Sequence, residues 1–455
     1  MRRIALIAGP TLAFVLGLGL DALGQPAGIC WTAAVTLLCA IWWISEAIPI
    51  PVTGLIPLAV FPLVGVLTPN EVGQAYGSPL ILLYLGGFML SMAMEKSGAH
   101  RRLALGMVNL FGGGGRAVVF GFMVAAASLS MWISNTATSL MLLPIALAAL
   151  ENAQDRRLKT ALLLGVAYGC NVGGIGTPVG TPPNLIFMQV YEDTTGIALS
   201  FLDWMRWGIP VVVLFVPLIG FWLTRNLGES ERLELPEVGA WRPEERRTLI
   251  IFALTAVAWI TRGDPFGGWS AWLNLPQAND ASVALLAVAA LFLTPNGKGD
   301  KLLDWDTAVR IPWGILILFS GGICIASAFV SSGISQIIGE ALAALSGFPS
   351  LLLLVGICLA VTFLTEITSN TATTALLMPV LAAAAVGAGV DPRLLMIPAA
   401  MSASCAFMLP VATGPNAVIF ASGHVSIKSM FTEGLALNFI GAAVITAVCF
   451  VALAS

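Results

Sequence analysis

The sequence predicts an all-α polytopic membrane protein, with about eleven transmembrane helices, two re-entrant hairpins and two repeats of inverted topology. Three observations lead there. Of 455 residues, 58% are hydrophobic and 10% charged, whereas soluble domains carry about 25% charged residues. Apolar stretches long enough for most of a hydrocarbon core of roughly 30 Å recur from end to end, continuous rather than alternating, which selects helices over a β-barrel. A set of polar motifs occurs twice at one spacing and so divides the chain in two.

In chain order, residues 1–29 form an N-terminal unit with a helix near 4–22. Met1-Arg2-Arg3 is followed by an apolar run but by no small-residue cleavage site, so this helix reads as retained rather than as a signal peptide. The first repeat, 30–225, holds spans near 30–47, 52–67 and 78–97, an interrupted apolar block at 117–150, a span with an internal break at 158–191, and a span near 205–225. A cytoplasmic linker at 226–246 leads to the second repeat, 247–455. That repeat holds spans near 247–262, 279–294 and 312–331, an interrupted block at 349–386, a broken span at 393–422 and a last span near 431–454.

Ser134-Asn135-Thr136 interrupts the first block and Ser369-Asn370-Thr371 the second. The return arm of the first, Ser139 to Leu150, would reach only about 18 Å as a helix, too short to cross. Arg101, Arg102 and Arg116 precede this block, and Arg156, Arg157 and Lys159 follow it, so both flanks belong on the cytoplasmic side and the block turns back on itself. With the N-terminus in the cytoplasm of an inner (plasma) membrane, only Arg206, Arg262 and Arg393 of the 21 lysines and arginines fall on the far side.

The register of the repeat is read directly. Gly86-Gly87 recurs as Gly321-Gly322, Ser97-Gly98 as Ser332-Gly333, and Ser134-Asn135-Thr136-Ala137-Thr138 as Ser369-Asn370-Thr371-Ala372-Thr373, all at an offset of 235. Gly180-Thr181-Pro182-Pro183-Asn184 answers to Ala412-Thr413-Gly414-Pro415-Asn416 with slight slippage. An odd number of crossings between the two hairpins makes the topology inverted.

Glycines and prolines in these last two motifs break helices at depth, which exposes carbonyls suited to a cation and helix N-termini suited to an anion. Ser130 and Thr365 stand four residues before Ser134 and Ser369, a spacing that predicts one shared helix face for each pair. A lone Ser-Asn-Thr reads as packing glue between helices, but its duplication beside duplicated breaks reads as a binding site. No Arg or Lys lies at this level, so a buried multivalent anion needs compensation, which bound sodium ions supply. Glu366 is the one acid close to either motif and reads as a satisfied structural carboxyl or a proton site.

Paired SNT, the Thr365-Glu366-x-x-Ser369-Asn370 stretch and the GTPPN and ATGPN breaks resemble the divalent anion:sodium symporter family, the INDY-type di- and tricarboxylate transporters. The resemblance covers nearly the whole chain. It implies a homodimer in membrane lipid, an elevator-type motion of a transport domain against a scaffold, and a scaffold and dimer contact built from 30–67 and 247–294. It further implies substrate contacts from Ser134, Asn135, Thr136, Pro183, Ser369, Asn370, Thr371 and Thr413. One sodium (Na+) site would use Ser130, Ser134, Asn135 and Gly180, the other Thr365, Thr368, Asn370 and Ala412. Basic segments near 98–116 and 295–311 read as amphipathic connectors between the two domains, or as interfacial anchors.

The function expected is sodium-coupled symport of C4-dicarboxylates or citrate, with a sodium-independent exchanger of the same fold as the alternative and an anion channel behind both. The seven cysteines are scattered in apolar segments without a CxxC, and the two histidines, His100 and His424, lie near predicted helix ends, so no catalytic constellation is expected and the chain is not read as an enzyme. No GxxxxGK[ST] loop occurs, which argues against ATP-driven pumping, and no basic cluster dense enough for nucleic acid is present.

Overall fold

Caps, prolines and left-handed glycines cut the apolar chain into short helices. The computed structural model describes residues 2–151, 153–228, 239–263, 267–342 and 349–453. Its first half comprises α1 (Arg2–Ala22), α2 (Ala27–Ser45), α3 (Ile50–Leu63), α4 (Pro69–Tyr76), α5 (Pro79–Ser97), α6 (Ala99–Phe111), α7 (Gly115–Ser130), α8 (Asn135–Ala149), α9 (Arg156–Gly173), α10 (Pro182–Thr195) and α11 (Phe201–Thr224). The second half comprises α12 (Pro243–Ile260), α13 (Gly268–Trp272), α14 (Asp280–Leu293), α15 (Trp305–Ala308), α16 (Trp313–Ser332), α17 (Ile334–Leu342), α18 (Ser350–Thr365), α19 (Asn370–Ala388), α20 (Pro392–Ser402), α21 (Gly414–Ala421) and α22 (Ile427–Leu453). Among the described residues no strand forms, and all seven cysteines are buried.

Eight described helical stretches are long and apolar enough to cross a membrane, which makes this a multi-pass membrane protein. Not every expected span reaches that length. α3 and α14 have 14 residues each, about 21 Å at 1.5 Å per residue. α8 starts at Asn135 itself and has 15 residues, three more than the return arm the sequence suggested, while α19 has 19 and is long enough to cross.

Element boundaries follow the motif offset. α7 and α18 have identical lengths 235 residues apart, and α5 and α16 both end on a left-handed glycine, Gly98 (φ 76°) and Gly333 (φ 84°). A side chain would strain that conformation, which accounts for the duplicated Ser-Gly. The duplicated Gly-Gly has a packing reason. A Cβ on Gly86 would stand 2.6 Å from the Ala284 Cβ of α14, and one on Gly321 would overlap the Gly54 carbonyl of α3, so each half's glycine admits a helix of the other half. The second glycines, Gly87 and Gly322, face Val179 and Ala375.

Three sequence expectations require correction. The basic segment 295–311 is not an amphipathic helix: Gly297 and Gly299 take positive φ, Pro295 bridges Lys301, and only the single turn of α15 follows. The counterpart of α6 at the common offset is instead α17, begun by Gly333. Helix α12 starts at Pro243, inside the stretch 226–246 read as a linker, because Pro243 opens a first turn closed by the Arg242–Glu245 capping contacts; residues 229–238 of that stretch lie outside the described residues. Finally, Ser134 and Ser369 do not share a helix face with Ser130 and Thr365, since α7 ends at Ser130 and α18 at Thr365 and each second serine is the N-cap of the next helix.

Candidate functional site

At each helix-pair tip the chain leaves one helix and at once begins another. Ser130 Oγ donates to Asn135 Oδ1 at 2.6 Å, and Thr365 Oγ1 lies against Asn370 Oδ1 at the same 2.6 Å. The tip is therefore closed by an i, i+5 contact between the last residue of one helix and the first of the next. Ser134 Oγ accepts from the Ala137 amide, whereas Ser369 makes no such bond and leaves its helix N-terminus open.

The two breaks are also built alike. Asn184 Nδ2 donates to the carbonyls of Gly174 (2.9 Å) and Thr177 (2.7 Å), bridging the loop between α9 and α10. Asn416 Nδ2 donates to those of Ala406 (3.0 Å) and Leu409 (3.1 Å) across the loop between α20 and α21. Both sets are separated by one offset, so the asparagine that ends each motif is the clip that satisfies the freed carbonyls.

Tips and breaks meet in one cavity of about 470 Å³. Its lining includes Ser134, Asn135, Thr136, Ser369, Asn370 and Thr371, together with Gly180, Thr181, Pro182, Ala412, Thr413 and Gly414. The N-termini of α8, α10, α19 and α21 all open into it. Each helix N-terminus carries roughly half a positive charge, so the four together oppose an anion of charge near two without any fixed cation. Among the described residues no lysine or arginine lines the cavity. Glu46 does, at its rim, in a left-handed conformation (φ 46°) and bonded to Arg2 at 2.7 Å. Trp43, Tyr84 and Phe88 supply an apolar wall.

Of the residues singled out in the sequence, Pro183 is buried behind Pro182 and does not line the cavity, and Ser130 and Thr365 sit fully buried beneath the tips. Thr368 lines it, but its hydroxyl donates to the Leu364 carbonyl (2.8 Å) and lies 2.6 Å from Thr373 Oγ1.

Neutral oxygens gather at both tips. A Cβ built on Gly174 would lie 2.7 Å from Asn135 Oδ1, 3.0 Å from its Nδ2 and 3.2 Å from the Gly180 carbonyl, so the Asn135 amide and this carbonyl close on the break at a place only a glycine tolerates. At the second tip, Thr365 Oγ1 lies 2.6 Å from Asn370 Oδ1 and 2.9 Å from the Ala403 carbonyl. One hydroxyl proton serves the two acceptors, so oxygen outnumbers protons there. Hard, neutral oxygen donors suit a hard cation rather than a thiophilic metal.

Sequence reasoning missed Asn171. This side chain, 1% exposed, donates from Nδ2 to Thr413 Oγ1 (3.1 Å), Asn416 Oδ1 (3.1 Å) and the Ala406 carbonyl (3.4 Å), and its own Oδ1 has no partner. It ties the first broken helix to the second. The only signal in the sequence is an amide inside the apolar run of α9. Glu366 is a satisfied structural carboxyl: it accepts from the amides of Phe407 (2.7 Å), Met408 (2.9 Å) and Leu409 (3.1 Å) and from Asn438 Nδ2 (2.8 Å).

A citrate transporter family model matches residues 40–394. A sodium-dependent dicarboxylate transporter of Staphylococcus saprophyticus is 38% identical over 476 residues, spanning 98% of this chain and 90% of that protein. Its Staphylococcus aureus namesake is 38% identical over 472 residues with the same coverage. The crystal structure of the Alcanivorax borkumensis YdaH transporter shares the fold, with a TM-score of 0.60 at 16% identity over 86% of this chain and 88% of that one.

Proposed function

We propose, from the premise that this chain belongs to the citrate transporter family as a divalent anion:sodium symporter, that it carries small dicarboxylates across the inner membrane together with sodium ions. It is a transporter, not an enzyme. The observation that carries the substrate reading is the convergence of four helix N-termini in one cavity that no described lysine or arginine lines, with neutral oxygens packed behind both tips. The chain's relatives are named for sodium and dicarboxylates, which fits that chemistry.

In this reading Ser134, Asn135, Thr136, Ser369, Asn370, Thr371 and Thr413 donate to the two carboxylates. Asn135 Oδ1 with the Gly180 carbonyl, and Thr365, Asn370 and the Ala403 carbonyl, hold one sodium each. Sodium ions order the tips and place positive charge beside the anion, so each ligand raises the affinity for the other by the same factor. The cavity size, about 470 Å³, falls within the range of small-molecule sites. Matched element boundaries in the two halves support a pair of inverted repeats, with α7–α8 and α18–α19 as re-entrant hairpins. An elevator motion of those hairpins and broken helices, in a homodimer with cytoplasmic N-termini, completes the proposal.

Radiolabelled succinate and citrate uptake in proteoliposomes tests it. Uptake that rises with an inward sodium gradient supports symport. Uptake that requires internal dicarboxylate and ignores sodium overturns it in favour of exchange.

A further inference from the structure

We propose that a second recess, at the end of the bundle where α9, α11 and α22 meet, binds a phosphoryl anion, supplied by the headgroup of an acidic phospholipid. The recess has a volume of about 930 Å³ and shares no lining residue with the central cavity. Cations reach it from three elements: Arg156, Arg157 and Lys159 from the first turn of α9, Arg225 from the end of α11, and Lys428 from the first turn of α22. Glu433 is the carboxylate in its lining, and it is already bonded to Arg225 at 2.8 and 3.2 Å.

The N-termini of α9 and α22 lie at the same place, but Asp155 caps the first through the Arg157 amide (2.8 Å) and Ser426 Oγ accepts from the Ser429 amide on the second (3.1 Å), so the recess depends on its side-chain cations. Basic residues that merely set topology are spread along an interface. Here five of them surround one concavity, against Glu433 in its lining and Asp155 at the start of α9, so cations remain in excess. Oxygen-rich, polyvalent phosphoryl groups are what arginine forks and lysines hold together.

Exposed apolar side chains on the same helices favour a lipid over a free anion. Phe221 (66% exposed) and Leu218 lie one and two turns along α11 from Arg225, and Ile427 and Phe431 are exposed on α22 beside Lys428. Acyl chains would lie along these faces while the headgroup sits among the cations. The Arg225 guanidinium stacks over the Trp222 ring, 3.9 Å from its centroid, which fixes one wall.

The test uses purified full-length protein, delipidated and returned to nanodiscs of phosphatidylcholine with or without phosphatidylglycerol, with retained lipid counted by native mass spectrometry. Wild type should hold phosphatidylglycerol about tenfold more tightly than phosphatidylcholine. R156Q/R157Q/K428Q should lose that preference, and R310Q, which removes a cation elsewhere, should keep it. Equal phosphatidylglycerol retention by wild type and the triple variant overturns the proposal. Inorganic pyrophosphate is the second probe: its binding, lost in the triple variant, without any lipid preference in wild type overturns the lipid source while keeping the phosphoryl site. Should the triple variant fail to fold, K428Q alone and a salt titration of wild type decide, since retention that ignores ionic strength is incompatible with binding by exposed cations.

Discussion

The two broken helices do the same work with different chemistry. In the first, the loop between α9 and α10 is held by close backbone packing and neutral bonds. A Cβ on Gly173 would overlap the Ala127 backbone, Thr177 Oγ1 donates to the Met131 carbonyl, and Trp204 Nε1 donates to Ile175 O at 2.7 Å. In the second, Cys405 stands where the first has Gly173, and a buried carboxylate, Glu366, gathers three loop amides and Asn438. The residue matching Glu366 at the offset of 235 is Met131, whose side chain packs on Gly176. The contacts that close the two tips, by contrast, are alike, with a hydroxyl–asparagine distance of 2.6 Å in each. Symmetry is kept in the hydroxyl–asparagine closure of the tips, relaxed at the serine cap beside it, and lost in the support behind, where sterics and a hydrogen-bonded charge are interchangeable ways to satisfy a broken helix.

Substitutions break or sharpen this contrast. The largest effect is expected from Gly173→Ala, which drives a methyl into backbone; it should remove folded carrier from size-exclusion profiles, while Cys405→Ala at the matching place leaves a folded peak. Next, Asn135→Ala and Asn370→Ala should both abolish succinate uptake with normal expression and thermal stability. If one variant transports normally, the equivalence of the two tips is lost. Glu366→Gln replaces an acceptor of four bonds by an amide whose NH₂ meets backbone donors, so a cost of about 1.5–3 kcal/mol falls on the second break. A rise of about tenfold or more in the sodium concentration for half-maximal uptake should follow, whereas Met131→Leu, a volume-conserving change, should leave it unaltered. The smallest effect, about 1 kcal/mol, belongs to Thr177→Val, which deletes one neutral bond and should lower the melting temperature slightly without changing sodium dependence.

Much of the site was legible in the sequence because it is duplicated. Ser134-Asn135-Thr136 and Ser369-Asn370-Thr371 announce themselves by recurrence inside apolar runs, and both line the cavity. Asn171 and Asn438 do not recur, and their partners Asn416 and Glu366 stand 245 and 72 residues away, so no local pattern marks them. The connector was misread for a related reason: basic composition at 295–311 looked like an interfacial helix, but two positive-φ glycines override composition locally, and the helix forms after Gly333 instead.

The sequence by itself determined the helical class, the two halves and the polar tips, because apolar length, backbone satisfaction in lipid and a repeated register are properties of consecutive residues. Only the tertiary structure decided that four helix N-termini open into one cavity, that Asn171 joins the two breaks and that Glu366 serves loop amides more than forty residues away. Those outcomes depend on which helices can approach closely, and that is set by Gly54, Gly86 and Gly321 against distant backbones rather than by any neighbour in the chain.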